Sequence, residues 1–190
     1  MKKEIFTLVL IVCTFHLFAQ KSDQEHALEK LIKLDLGLRG VGFAFEPRLS
    51  KKMTIDLSAG LGGGYNISDN SFEYNWDFLS PALYLVINPK FYYNREKRIA
   101  KEKDFSRNAG NYIGLVVKYT SRGIAENSDV WDALLFNLHW GLQRPVGKRW
   151  IFNTHFGGGY AVDATDLNNS SGTFYPALDI RFAYILNEKN

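Results

Sequence analysis

The sequence predicts an all-β fold, an eight-stranded antiparallel up-and-down β-barrel that crosses a membrane, with a short basic periplasmic helix around 93–104. Three observations carry this expectation: an apolar export signal at the N-terminus, an apolar/polar alternation of period two through most of the chain, and an internal repeat at an offset of 95 residues.

The chain opens Met1-Lys2-Lys3 and then runs apolar from Ile5 to Phe18, interrupted by Thr7, Thr14 and His16. A short basic stretch, an apolar core and a small residue at its end make a secretory signal peptide. Residues 1–19 are therefore expected as the signal, with cleavage near Ala19, and 20–30 as a lead-in to the first strand. The apolar run is shorter than the roughly 20 residues that a transmembrane helix needs. Cys13 at a cleavage point would mean a lipoprotein, but Val12 before it is too large and the apolar run continues beyond it. The mature chain then has no cysteine, which leaves no disulfide or thiolate chemistry.

At about 170 residues the mature chain is one domain's worth. Removing Lys2, Lys3 and Glu4 takes the 23 basic and 20 acidic residues to 21 and 19, a net charge near +2. That balance does not suit a nucleic-acid partner. Later segments contain no long apolar run, which excludes a helical membrane protein.

Past residue 30 the period is two. Leu34, Leu36 and Leu38 alternate with Lys33, Asp35 and Arg39. Val41, Phe43 and Phe45 oppose Gly42, Ala44 and Glu46. From Met53 to Tyr65, Ile55, Leu57 and Leu61 oppose Asp56, Ser58 and Gly60. The scheme continues through Leu83 to Ile87, Ile113 to Tyr119, Leu134 to Leu142, Trp150 to Tyr160 and Phe174 to Tyr184. A soluble barrel turns the apolar face inward, whereas a membrane barrel turns it toward lipid. Here the polar face is rich in glycine and poor in lysine and glutamate, as a crowded interior requires. The apolar face is bulky, with aromatics at strand ends, as an interface girdle requires.

Gly62-Gly63-Gly64-Tyr65 recurs as Gly157-Gly158-Gly159-Tyr160, and Pro81-Ala82-Leu83 as Pro176-Ala177-Leu178. The barrel domain, 31–186, then consists of two four-strand halves, about 31–88 and 110–186, followed by a tail at 187–190. Eight strands make the smallest barrel that closes around a filled interior. Tight connections at 48–52 and 145–148 alternate with longer ones at 66–73, 122–129 and 164–172. This parity requires a sharp first turn near Arg39-Gly40. Residues 89–109 form a long connection, with a basic helix from Arg95 to Lys103 and Phe91, Tyr92, Ile99 and Phe105 as its apolar contacts. It is expected either against anionic lipid or as a plug over the barrel base.

The Phe-Ala-Gln signal ending, the Gly-rich third and seventh strands, and Pro-Lys-Phe-Tyr-Tyr-Asn before a basic stretch resemble the small outer-membrane β-barrels of Bacteroidota. More distantly the plan is similar to OmpA- and OmpX-type barrels. The resemblance covers nearly the whole mature chain and implies architecture, since that family has no shared activity to carry over. Leu178 to Tyr184 resembles the last strand that barrel-assembly machinery reads, although Ile185 to Asn190 follow it. The implied partners are outer-membrane lipid and that machinery, and the chain is expected as a monomer.

Alternation places Lys33, Arg39, Lys118 and Arg181 inside with Asp35, Glu46, Asp56 and Asp179, as a structural ion-pair network. His139 and His155 flank the turn at Gly147 at equal distances and are expected to face one another inside. Two imidazoles suit a metal or a general base, but no third ligand is evident, and Ser58 as a nucleophile lacks a motif. No metal, cofactor or catalysis is expected. Tyr65, Trp76, Trp131, Trp150, Tyr160 and Tyr184 are assigned to an interface belt. Phe72, Tyr74 and the stretch Asp166 to Ser171 are placed in outer loops. The expected role is envelope-structural or surface contact. One alternative is a lipid-modifying enzyme using His139 or His155. The other is a soluble periplasmic lipocalin-like carrier with Leu134, Phe136, Leu138 and Trp140 lining its cavity.

Overall fold

The computed structural model of the chain describes residues 27–68, 71–77, 79–124, 130–165 and 172–187. The expected signal peptide, with Cys13 and the Ala19 cleavage point, lies outside the described residues. So do most of the lead-in, the stretch Asp166 to Ser171 and the end of the tail.

The strands are β1 (Leu31–Gly37), β2 (Gly40–Glu46), β3 (Met53–Gly62), β4 (Gly64–Ser68), β5 (Ser71–Asn75), β6 (Ala82–Phe91), β7 (Gly110–Gly123), β8 (Ala133–Val146), β9 (Trp150–Asp163) and β10 (Gly172–Ile185). Eight of them close into one antiparallel barrel in the order β1-β10-β9-β8-β7-β6-β3-β2, and β4 pairs with β5 as a separate hairpin. Closure occurs between β1 and β10, with Lys33 opposite Ile185 and Gly37 opposite Arg181. The two four-strand halves are β1, β2, β3, β6 and β7–β10. The first glycine run starts at the end of β3 and continues into β4, whereas the second lies within β9; Ala82-Leu83 open β6, with Pro81 just before it, and Pro176 to Leu178 lie within β10.

The first turn is as tight as the parity requires. Gly37 faces Gly40 across a two-residue turn at Leu38-Arg39, and Gly40 has φ +126°, a conformation that suits glycine. A Cβ there would also press on the Leu61 carbonyl oxygen.

Two boundaries differ from expectation. The strand expected from Met53 to Tyr65 breaks at Gly63, and the chain beyond it turns into the β4–β5 hairpin, whereas Gly157–Gly159 stay within β9. The connection expected from residue 89 begins at 92, because β6 continues through Phe91. Pro89 reads as a strand end, yet it pairs with Ile55 on β3, and the ladder to β7 has no pairs at 88 and 89, where the missing N–H is tolerated. The basic helix is correspondingly short, α1 (Arg95–Ile99).

Alternation sets the two faces. Phe43, Leu138, Phe156 and Leu178 are each at least 60% exposed on the outside, while Lys33, Glu46, Asp56 and Arg181 are buried inside. No helix among the described residues is long and apolar enough to cross a membrane. Connections 47–52, 92–109 and 147–149 lie at one end, the base, together with both described chain ends. The turn 38–39, the β4–β5 hairpin and the described residues 124, 130–132 and 164–165 lie at the other, the mouth.

Segment 92–109 folds over the base. Tyr92, Arg95 and Asn108 are buried, and Arg95 donates to the Ala27 carbonyl at 2.9 Å. Asn108 accepts the Glu29 N–H at 2.6 Å, and Arg107 reaches the carbonyls of Gly147 and Lys148. Outside the strands, burial would raise the Asp104 carboxyl, but hydrogen bonds from Ser106 and the nearby Arg107 hold it below the usual carboxylate range.

Candidate functional site: the barrel lumen

Strand pleat sends every second side chain inward, and the lumen divides at a pair of histidines. Below them, toward the base, lies a dense ion-pair network. Lys33 Nζ stands 2.5 Å from Glu46 Oε2 and 3.0 Å from Asp56 Oδ2. Lys90 Nζ lies 2.9 Å from Asp56 Oδ2 and 3.2 Å from Glu46 Oε2, and Arg181 Nη2 lies 3.3 Å from the same Asp56 oxygen. Arg181 Nη1 also pairs with Asp35 Oδ2 at 3.0 Å. The other Glu46 oxygen accepts from Thr54, Tyr92 and Asn108. A buried carboxylate is tolerated when its lone pairs are filled in this way.

All eight expected network residues are buried, but Lys118 leaves the ion-pair network: among the described residues it pairs with the Tyr65 hydroxyl and with no carboxylate. Lys90 belongs in the network and was not legible, because Pro89 hid the strand that carries it. Its side chain is 0% exposed. The described lumen thus holds five cations (Lys33, Arg39, Lys90, Lys118, Arg181) against four carboxylates (Asp35, Glu46, Asp56, Asp179).

Above the network, His139 and His155 stack at 3.9 Å between ring centroids; the ladder pairs them with Gly157 and Gly141, so they meet as diagonal neighbours rather than directly opposite. Asn137 donates to the Tyr175 hydroxyl at 3.1 Å, which leaves its Oδ1 to accept from His139 Nδ1 at 2.7 Å. That fixes the tautomer with a bare Nε2, which has no partner and sits over Gly114, where a Cβ would collide with it. Ser58 Oγ is buried and without a hydrogen-bond partner, so neither histidine activates it. Among the described residues no three His, Cys, Asp or Glu side chains gather as metal ligands.

Nearer the mouth the side chains are more loosely paired. Arg39 Nη2 approaches Asp179 Oδ2 at 3.5 Å and Asp35 Oδ2 at 3.8 Å. Neither its Nε nor its Nη2 makes a hydrogen bond, and both Asp179 oxygens also lack one. Lys118 Nζ donates to the Tyr65 hydroxyl at 2.9 Å and lies over the rings of Tyr65 and Tyr84. A cavity of about 260 Å³ opens here, between Arg39, Lys118, Asp179, His155 and the aromatic rings of the hairpin.

The hairpin covers the mouth. Phe72 stacks on Tyr175 at 4.4 Å, and Tyr65 leans on Phe72 and Tyr74, each at 5.2 Å. Tyr74 donates to the Leu38 carbonyl at 2.5 Å. Tyr65 is therefore no belt residue: the break at Gly63 turns it inward as part of the lid. The remaining belt candidates lie outside. Trp150 meets Tyr184 edge-on at 5.2 Å near the base, Tyr160 meets Phe174 at 5.0 Å near the mouth, and Trp76 and Trp131 are exposed beside the hairpin. Trp140, bonded to the Tyr93 hydroxyl at 2.7 Å, joins the base group. Phe136 and Leu138 look outward, opposite to what a lipocalin-like carrier requires.

The chain matches no family model, no curated protein and no solved structure. The eight antiparallel strands in a closed ring are compatible with a small barrel.

Proposed function

We propose that the protein is an outer-membrane β-barrel with an envelope-structural or surface-contact role and no catalysis. The observation that carries this reading is the inversion of its two faces. A continuous apolar wall faces outward, where a water-soluble protein would carry charge, and the ions are gathered inside. β7 to β10 have 14 residues each, enough for the roughly 9–11 that a tilted strand needs to cross. Aromatic pairs toward both ends suit the two interfaces. The base carries Lys97, Arg98, Lys101 and Lys103 beside Arg144 around one surface hollow, which suits the anionic inner leaflet. Plugs at base and mouth favour a sealed barrel over a conduit. Outer-membrane lipid and the assembly machinery are its partners in this reading.

The test is cell fractionation, followed by gel migration with and without boiling. Recovery in the outer membrane with heat-modifiable mobility supports the proposal. Recovery in the soluble periplasmic fraction overturns it.

A further inference from the structure

We propose that the upper lumen binds the carboxylate end of a single-chain fatty acid, which enters sideways from the membrane above the β1–β2 turn. The inference rests on the membrane reading, and it deepens that reading by naming a ligand.

The entrance follows from unequal strand heights. β1 and β2 have seven residues each, fewer than the roughly 9–11 that a crossing needs, while the neighbouring β10 has 14. Pairing of β10 with β1 spans Arg181 to Ile185 and ends with the Leu38 N–H on the Ile180 carbonyl. From 179 back to 172, β10 rises beyond the end of β1. The Ile180 carbonyl faces β1, so by alternation the backbone at 178, 176 and 174 faces the gap. Proline at 176 falls on this open side, where no strand among the described residues asks for its missing N–H. The gap is bridged by side chains of the hairpin rather than by a strand.

The cavity behind the gap has two kinds of wall. Leu38, Pro176 and Leu178 belong to the outer face of the barrel, yet they border the same space of about 260 Å³ as Arg39, Lys118 and Asp179. Leu178 is 63% exposed on the outside. An apolar rim continuous with the lipid face and a charged floor inside are complementary to an amphiphile. The volume takes a small head and the first carbons of one chain and is below the usual range for enclosing a whole drug-sized ligand. The rest of the chain stays in the bilayer along Leu38 and Leu178.

Charge selects the head. Five cations face four carboxylates in the described lumen, and among the described residues Lys118 has no carboxylate within ion-pair distance. Lys118 and Arg39 are each more than nine-tenths buried, and two guanidinium nitrogens of Arg39 make no hydrogen bond. One monoanion balances the excess and gives these donors an acceptor. A dianionic phosphate is disfavoured by Asp179, which lines the same space and whose two oxygens make no hydrogen bond.

The experiment is a titration of the purified full-length barrel, in dodecyl maltoside micelles, with oleate ¹³C-labelled at its carboxyl carbon. A saturable resonance, distinct from micellar oleate, is expected at one oleate per barrel. Lys118→Met should weaken binding about tenfold or more, the weight of a charged hydrogen bond, with heat-modifiable mobility retained. Leu178→Trp, which narrows the entrance and leaves the charges in place, should weaken it as well. Acetate and monoolein should not compete. Absence of a saturable signal in the wild-type barrel, unchanged affinity in both variants, or acetate competing as well as oleate overturns the proposal. Fractionation separates the two failures. A barrel found in the outer membrane that ignores oleate removes this inference alone, whereas a soluble chain removes the membrane reading whatever oleate does.

Discussion

Below the stacked histidines, one oxygen of Asp56 receives Lys33, Lys90 and Arg181, all within 3.3 Å. Above them, Lys118 meets a tyrosine hydroxyl in place of a carboxylate, and Arg39 lies beside Asp179 without a hydrogen bond. The residue types are the same in both regions, and the enclosure differs. The lower lumen is ringed by all eight strands and closed by segment 92–109. In the upper lumen β1 and β2 have already turned back, and a hairpin stands in for them. A complete wall permits close packing of charge; a low wall leaves room and unspent donors.

The largest expected effect is at Asp56. Asp56→Asn removes the charge that three cations share and leaves them in a buried space around Glu46 and Asp35. Loss of one partner from a buried ion pair costs about 3–5 kcal/mol. Urea unfolding of the barrel in lipid vesicles, followed by tryptophan emission, should show a loss of that order. A loss below about 1 kcal/mol would mean that the lower network is no better packed than the upper one.

Backbone closeness gives the next effect. Gly42 and Gly60 face each other on β2 and β3, and the Tyr84 hydroxyl lies over both. A Cβ at Gly60 would meet the Val41 carbonyl, the Gly42 Cα at 2.5 Å and the Tyr84 hydroxyl. Backbone atoms on neighbouring strands cannot swing aside, so Gly60→Ala should cost about 1–3 kcal/mol in the same unfolding experiment. An unchanged midpoint would show that β2 and β3 can separate, and that the short strands are soft throughout.

Lys118→Met sharpens the contrast from the other side. Removing a buried cation that has no carboxylate partner, and replacing it with an apolar chain of similar length, should leave stability within about 1 kcal/mol of the parent or raise it. A loss comparable to that of Asp56→Asn would place Lys118 in a tight network and remove the asymmetry between the two regions.

Much of this was legible because a strand has one simple rule. Period two assigned Lys33, Asp35, Asp56 and Arg181 to the interior, and the equal spacing of His139 and His155 from Gly147 placed them near one another, though the ladder makes them diagonal neighbours. The offset of 95 counted the strands, and the parity of the connections required the turn now seen at Leu38-Arg39. What escaped depends on contacts across the barrel. Pro89 looks like a strand end unless the neighbouring ladder is known to open there, and Lys90 was lost with it. Tyr65 looks like a girdle aromatic until the chain is seen to leave the wall at Gly63. The low wall follows from comparing the heights of β1 and β10, which are neighbours only after the ring has closed.

The smallest expected effect concerns the glycine run itself. In β9, Gly157 and Gly159 have no room for a side chain: a Cβ at Gly157 would strike the Leu138 carbonyl, and one at Gly159 the Tyr175 ring at 2.6 Å. Gly158, between them on the outer face, has nothing within 4 Å of that position. Gly158→Ala should therefore shift unfolding by no more than about 0.5 kcal/mol, as an open surface position does. Gly157→Ala serves as the paired control and should cost more, because its obstruction is backbone. Equal and small effects at both positions would show that β8 and β9 can part as easily as the first hairpin. Strand height would then no longer explain why donors are left over near the mouth.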